Sequence, residues 1–287
     1  MLFRLCAMGG GVIIVALTAW QIFYDLFHPS AQGSMSDFVA RSVWRLLHGR
    51  ESWLSAAGPI SLLLVIASWA LLLALGFSLV YWPWFPEGFQ FRGPPEKSFS
   101  SSLYFSLEAL TTLGLGDITP NLAWLRLLAT FESLIGLALV TASVSWVVLL
   151  YPALSRMRLL ARQAVLLDEV SRKTGIPAVS DGSQHLLQDL AQKVVRTRID
   201  LIYFPILYYF YTGNLKSSLA QALPVLYRLS EDGCRKGNPE PLRLSGEILR
   251  ATLEDLADLL KERFLDVSRD GLNEVFAGFA ADHRSAE

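Results

Sequence analysis

Thr111-Thr112-Leu113-Gly114-Leu115-Gly116-Asp117 lies between two long apolar segments. Gly114 and Gly116 can take backbone angles with φ > 0, so successive carbonyls can all turn toward one axis. Thr112 can add a hydroxyl ring at the inner end of such a loop. A short re-entrant loop of this kind can present backbone carbonyls to a cation in place of its water shell. Alone, T-x-G-x-G-D is a weak motif, because two spaced glycines fit many turns. Its setting makes it specific: a short amphipathic segment precedes it, and a membrane-length apolar run lies on either side.

The chain has 287 residues, 52% of them hydrophobic, with a mean hydropathy of +0.38. The apolar excess is concentrated before Pro152. A membrane-crossing helix needs about 20 mostly apolar residues. Three stretches qualify: about Met8 to Phe27, about Ala56 to Trp82, and about Leu122 to Leu150. The third carries Glu132, Thr141, Ser143 and Ser145, so one of its faces is expected to meet water or protein. The first could be a signal peptide, but it lacks a strong basic n-region and no A-x-A-like site follows it, so a retained helix is the better reading. A formal net charge of −1 argues against a nucleic-acid partner. Cys6 and Cys234 lie far apart in different kinds of sequence, which argues against a disulfide, and the four His are too scattered for a metal site.

Between the first two spans, Met35 to His48 reads as an amphipathic helix. Phe38, Val39, Trp44, Leu46 and Leu47 are apolar, and Arg41, Arg45 and the following Arg50 are basic. It can lie in the membrane interface with its Trp at headgroup depth, or it can be a connector packed on protein. Pro83, Pro86, Gly88, Gly93, Pro94 and Pro95 break the segment Trp82–Ser98, which reads as an exposed turret. A short pore helix then covers about Ser100 to Leu110, with Ser100, Ser101 or Ser102 as N-cap. Arg156, Arg158 and Arg162 follow the third span at once, and Arg41, Arg45 and Arg50 fall in the first loop. The positive-inside rule places both on the cytoplasmic side, so the pore loop and the N-terminus are expected outside. Trp82, Trp84 and Trp124 then fall at the outer interface.

After Pro152 the chain turns polar and helical. The spacing predicts helices over Met157–Thr174, Ser183–Phe210, Leu215–Leu229, Glu240–Leu265 and Leu272–Ala280. Breaks are expected at residues 175–177 and 237–239. The apolar, aromatic run Ile199–Tyr211 is too short to span a bilayer and is interrupted by Pro205, so it reads as a buried core helix or an oligomer contact. The expected division is residues 1–55 (first span and interfacial helix), 56–155 (pore domain) and 156–287 (helical cytoplasmic domain).

Residues from about Ser100 to Tyr151 resemble the pore region of two-transmembrane, pore-loop potassium channels of bacterial type. Here an additional N-terminal helix precedes that region. The family's filter reads T-V-G-Y-G-D, and this chain has Thr112-Leu113-Gly114-Leu115-Gly116-Asp117. Tyr104-Phe105 stands where the family has an aromatic pair on its pore helix. Glu108 stands where some members have a Glu that contacts the Asp behind the filter, here Asp117. Pro120, Trp124 and Arg126 fall at familiar spacings, and Gly136 falls where many inner helices have a hinge glycine. The resemblance implies an all-α membrane protein: outer helix, pore helix, filter and inner helix, with an α-helical cytoplasmic C-terminal domain. With one pore loop per chain, a closed carbonyl ring implies a cyclic homotetramer in the lipid bilayer. It further implies K+ at the backbone carbonyls of Thr112, Leu113, Gly114 and Leu115, with Thr111, Gly116, Asp117, Glu108, Tyr104 and Phe105 as filter support. Location in the plasma membrane follows (the inner membrane of a prokaryote), multi-pass, with the C-terminus cytoplasmic.

Several residues carry two readings. Glu108 beside Asp117 suggests a shared proton, since two close carboxylates cannot both ionise easily; Asp117 could instead be a surface turn residue. Gly136 fits close helix packing or a hinge, and the family spacing favours the hinge. Glu132, an ionisable residue inside a span, is costly there and so functional by default. It can hydrogen-bond the pore helix or sense pH. Val140, Ser143 and Val147 are candidate pore-lining residues. Leu115 departs from the family's aromatic residue; it packs but cannot donate a hydrogen bond. A weakly selective cation channel, or a non-conducting sensor or scaffold with a channel-like core, are therefore the alternatives to a potassium channel. No span carries a repeated-Arg pattern, so no voltage sensor is expected. The C-terminal part shows no G-x-G-x-x-G after a strand, no Walker motif and no metal spacing. No cofactor other than the permeant ion is expected, no sequence feature specifies a cytoplasmic regulator, and no enzyme constellation is present.

Overall fold

The computed structural model describes residues 2–27, 35–47, 56–95, 97–210, 218–265 and 271–283. Arg50, Tyr211 and the expected start of a helix at Leu215 lie outside them. Among the described residues the order is α1 (Leu2–Phe27), α2 (Met35–Leu47), α3 (Ala57–Tyr81), a 3-10 turn (Trp82–Trp84), β1 (Phe89–Phe91), α4 (Phe99–Leu110), β2 (Ile118–Pro120), α5 (Ala123–Thr174), α6 (Gln184–Tyr203), a second 3-10 turn (Pro205–Tyr209), α7 (Leu219–Gly233), α8 (Glu240–Arg263) and α9 (Leu272–Asp282). Three of these helices are long and apolar enough to cross a membrane: α1, α3 and α5. The protein is an all-α membrane protein whose one small sheet, among the described residues, is the antiparallel pair β1–β2.

The chain divides into two compact units, residues 1–36 with 63–148, and residues 37–62 with 149–287. These cuts differ from the division at 55/56 and 155/156 read from sequence, and they group α2 with the C-terminal helices.

In the first unit α1 runs antiparallel to α3. The ring of Phe3 meets that of Trp82 (5.2 Å between centroids), while further along Gly11 faces Gly76. A Cβ on Gly11 would stand 2.5 Å from the Gly76 carbonyl oxygen. Small residues let membrane helices approach this closely, and the close approach supplies the dispersion contacts that hold them together in lipid. Arg4 adds a salt bridge to Glu87 (2.8 Å) and lies over the Trp84 ring (5.5 Å). Such packing is what the retained-helix reading of α1 requires.

The segment before α4 is exposed at residues 92–95 and Lys97, but its first part is not an open turret. Phe85 and Phe89 are buried in a cluster with Phe77, Tyr81, Phe105, Ile118 and Leu125. Prolines and glycines correctly signalled a break in helix, but the aromatic residues between them fold back as core. α4 starts one residue earlier than expected, and its cap is Ser98, whose Oγ accepts from the Ser101 N–H (3.1 Å). α5 also differs from expectation. It was read as two helices separated near Pro152, yet it is one helix of 52 residues containing that proline. Proline removes one hydrogen-bond donor from a helix, and long helices of membrane proteins tolerate that loss where neighbours satisfy the freed carbonyl.

In the second unit α2 buries Ala40, Val43 and Trp44 and exposes Phe38, Arg41, Arg45 and Leu46. Trp44 packs against Tyr209 (5.8 Å) and His283 (5.3 Å). The indole therefore takes protein contacts, as in the connector reading, and is not the headgroup anchor of the interfacial one. The expected helix Ser183–Phe210 ends at Tyr203 as α6. A 3-10 turn follows Pro205, and its residues Ile206 to Tyr209 are buried, which agrees with the core reading of that run. α6 packs along α8 with Arg198 paired to Asp255 (2.8 Å). Arg156 near the start of the unit's share of α5 makes a two-pronged bond to Asp200 of α6 (2.9 and 2.7 Å). Asp168 of α5 takes both Arg172 and Arg228. Cys6 and Cys234 are both free thiols; burial, then the nearby Glu247, pushes Cys234 up to about 11.

The glycine seam makes a direct test. Gly11→Val should cost about 1–3 kcal/mol by overpacking against backbone that cannot move aside. The reading is a lowered thermal midpoint of the purified protein relative to Gly10→Val, since Gly10 has open space where a Cβ would go.

Candidate functional site

The loop Thr111–Asp117 begins where α4 ends. Thr112, Gly114 and Gly116 have φ of +56°, +61° and +70°, while the residues between them do not enter the positive region. Alternating handedness cancels the reversal of direction that successive peptide planes show in an extended strand, so carbonyls can follow one another on one side. A β-branched residue at positive φ, as Thr112 is, stores about 1–3 kcal/mol of strain and persists only where its surroundings hold it. No atom lies within 4 Å of where a Cβ on Gly114 or Gly116 would stand. Glycine is therefore required there for its backbone freedom, not for space within the chain. The side chains of Leu113 and Leu115 are 64% and 53% exposed within the chain.

Hydrogen bonds to α4 hold the loop. The Thr112 N–H donates to the Ala109 carbonyl (3.1 Å) and the Leu113 N–H to the Glu108 carbonyl (3.0 Å). The Gly116 N–H donates to Glu108 Oε1 (2.9 Å). Thr111 Oγ1 turns back on its own helix to the Leu107 carbonyl (2.7 Å). At the outer end Tyr104 donates its hydroxyl to Asp117 Oδ2 (3.1 Å), and the Asp117 carbonyl accepts from the Arg92 N–H (2.9 Å). The β1–β2 pair continues from there, with Phe91 opposite Ile118 and Phe89 opposite Pro120. Arg126 closes the turn by donating to the Pro120 carbonyl (2.9 Å).

Glu108 and Asp117, expected to share a proton, instead take separate donors: Gly116 for the first, Tyr104 and the Ile118 N–H for the second. Glu108 Oε2 is buried without a hydrogen-bond partner. Tyr104 and Phe105 divide their work. Phe105 is buried in the aromatic cluster and Tyr104 is part-exposed, reaching Asp117.

Sequence reading missed the hydroxyls that hold α4 from behind. Ser102 Oγ donates to the Ser78 carbonyl (2.7 Å) and Ser106 Oγ lies 2.9 Å from the Ala74 carbonyl, so α4 is stapled to α3. Ser133 of α5 donates to the Ala109 carbonyl at the other end of α4 (2.8 Å). Glu132, fully buried, accepts from Tyr81 (2.8 Å) and Ser106 (2.5 Å); of its two readings the structure contains the bond to the pore helix. The available signal was the i, i+4 spacing of Ser102 and Ser106, which puts both on one face of a short helix.

Gly136 sits against α4. A Cβ there would lie 1.8 Å from the Leu110 carbonyl oxygen, which is the close-packing role, set within uninterrupted α5. Val140, Ser143 and Val147 do not share an open face: Val140 is exposed, Val147 half-buried, and Ser143 buried. The correction to Ser143 has a geometric cause. Helical spacing fixes angles between residues but not the direction of the set, and here the inward stripe runs through Glu132, Gly136, Leu139, Ser143 and Trp146. Leu134, Leu137, Val144 and Val148 lie on the open side. Among the described residues no cluster of His, Cys, Asp or Glu could hold a metal ion; the loop's oxygens are backbone. The second unit contains a cavity of about 520 Å3 walled by Val165, Asp168, Pro224, Phe276 and His283.

Residues 62–150 match the model of a family described as Ion channel. The uncharacterized membrane protein YdjJ of Bacillus subtilis (strain 168) is 27% identical over 233 residues, covering 76% of this chain and 68% of that protein. That alignment is longer than the family match. No solved structure matches the chain.

Gly136→Ala tests the packing role. Overpacking against the Leu110 carbonyl should lower stability by about 1–3 kcal/mol, read as a drop in thermal midpoint, whereas Ala138→Gly on the open side should leave the midpoint within about 1 kcal/mol of wild type by helix propensity alone.

Proposed function

We propose that the protein is a potassium channel, passing ions passively through a backbone-carbonyl filter in a homotetramer; the match of residues 62–150 to a family described as Ion channel supports this reading. The observation that carries this reading is the alternation of positive φ at Thr112, Gly114 and Gly116 in T-x-G-x-G-D at the end of a pore helix. Carbonyls of Thr112, Leu113, Gly114 and Leu115, with the Thr112 hydroxyl, replace the water around a dehydrated K+. Four chains supply the ring. Each site binds strongly enough to strip the ion and weakly enough to release it to the next, and neighbouring ions repel one another along the row. The protein works as a channel and not as an enzyme, with K+ as its only small-molecule partner.

The proposed topology places the loop and the N-terminus outside the plasma membrane and residues 156–287 in the cytoplasm. Arg156, Arg158 and Arg162 after the third span, with Arg41 and Arg45 in the first loop, support it. The cytoplasmic domain acts on the inner helix through the Arg156–Arg162 stretch. Hinge motion at Gly136 belongs to this proposal, alongside the packing described above. Leu115 favours a second reading, a weakly selective cation channel. Its side chain has no hydroxyl with which to tie the filter wall to α4.

Cation flux from liposomes under K+ or Na+ gradients tests both. Selective K+ flux supports the first reading; equal K+ and Na+ flux supports the second; absence of flux from wild-type protein and from the protein truncated after Arg162 refutes both. Gly114→Ala and Gly116→Ala should each abolish flux, because a left-handed conformation costs an L-residue roughly 1–2 kcal/mol at every one of the four copies. Leu115→Tyr should keep conduction and raise the K+ over Na+ permeability ratio.

A further inference from the structure

We infer that Glu132 is a positioning residue through which the outer and inner helices set the filter. This rests on the channel reading above. Glu132 is fully buried within a spanning helix, where a carboxyl group is expensive and is retained for a purpose. It makes no ion pair: among the described residues no Lys, Arg or His bonds to it, and its partners are the hydroxyls of Tyr81 on α3 and Ser106 on α4. One side chain on α5 thus joins all three helices of the pore region at a single point.

Ser106 makes this junction more than a brace. Its hydroxyl has one proton and two acceptors within reach, Glu132 Oε1 at 2.5 Å and the Ala74 carbonyl at 2.9 Å. Full commitment of that proton to one acceptor weakens the bond to the other. The inner helix and the outer helix therefore compete for the same donor on the pore helix, which gives α4 two discrete ways of being held. Elements with two such arrangements are what carry coupling through a packed protein.

From Ser106 the path to the filter is short. Two residues further along α4, Glu108 accepts the Gly116 N–H on its side chain and the Leu113 N–H on its backbone. Those are the bonds that hold the strained alternation. A shift of α5 against α3 is felt at Glu132, passes to Ser106, and reaches the filter as a displacement of the acceptors of Leu113 and Gly116. The filter itself becomes a place where movements of the spanning helices can change permeation, in addition to any movement lower in the inner helix.

Hydrogen exchange of the purified full-length protein, read by mass spectrometry, tests this without requiring conduction. Glu132→Ala, Ser106→Ala and Tyr81→Phe should each speed exchange of the amides in 112–117 by about tenfold, the change that losing roughly 1.4 kcal/mol of protection produces. Exchange in α6 to α9 should stay at the wild-type rate. Glu132→Gln, whose carbonyl oxygen and amide group can still meet two hydroxyls, should lie close to wild type. In liposomes the same three variants should lower the K+ over Na+ permeability ratio and Glu132→Gln should restore it. Wild-type exchange at 112–117 in all three variants would overturn the inference, as would faster exchange spread evenly over the chain. If Glu132→Ala does not assemble, Ser106→Ala and Tyr81→Phe, each lacking a single hydroxyl, decide the matter. Absence of cation flux from both wild-type protein and the protein truncated after Arg162 would refute the channel reading while leaving the exchange result to judge the junction by itself.

Discussion

A backbone strand whose residues alternate in handedness has no ladder of its own to hold it. Its amides must therefore find partners elsewhere. That constraint organises the first unit. The amides of Thr112, Leu113 and Gly116 all go to the end of α4, so the loop is only as well placed as that helix. α4 is short, and a short helix is marginal by itself. It is fixed by hydroxyl-to-carbonyl bonds from and to its neighbours, by the aromatic cluster at its outer end, and by Gly136 pressed against its last carbonyl. The shape of the loop is thus a backbone feature maintained by side chains outside it.

The same logic explains why the outer end is built differently. Asp117 leaves the loop and enters a two-stranded pair, where regular backbone bonding resumes. A carboxylate there takes a tyrosine hydroxyl and a backbone amide, and its own carbonyl is capped by Arg92. The loop is therefore pinned by helix at one end and by sheet at the other.

Much of this was legible in the sequence, and what was legible is local. The need for glycine at 114 and 116 follows from their own φ, and the three spans follow from the length of apolar runs. The limits of α4 were found to within two residues from a serine cluster and the first threonine. What escaped depends on the absolute direction of a face. Spacing groups Val140, Ser143 and Val147, but which way that group points is decided by Trp146 and Glu132 finding partners on α3 and α4. The roles of Ser102 and Ser106 escaped because nothing nearby in sequence announces the carbonyls of Ser78 and Ala74. Phe85 and Phe89 sit among prolines and glycines, so composition spoke for the surface while the rings went to the core. Trp44 kept two readings, lipid anchor or protein contact, because its partners, Tyr209 and His283, are far along the chain.

The partners of α4 also have an order in time. Ala74, Ser78 and Tyr81 leave the ribosome before it, while Glu132, Ser133 and Gly136 leave after it. A nascent chain that has just placed α3 and α4 in the bilayer has half of the junction and none of the support from α5. A chain interrupted before residue 132 would carry the loop and its bonds to α4 without the support that Ser133 and Gly136 of α5 give to the end of that helix. Synthesis and insertion of the last span is therefore the step at which the loop gains its full set of supports.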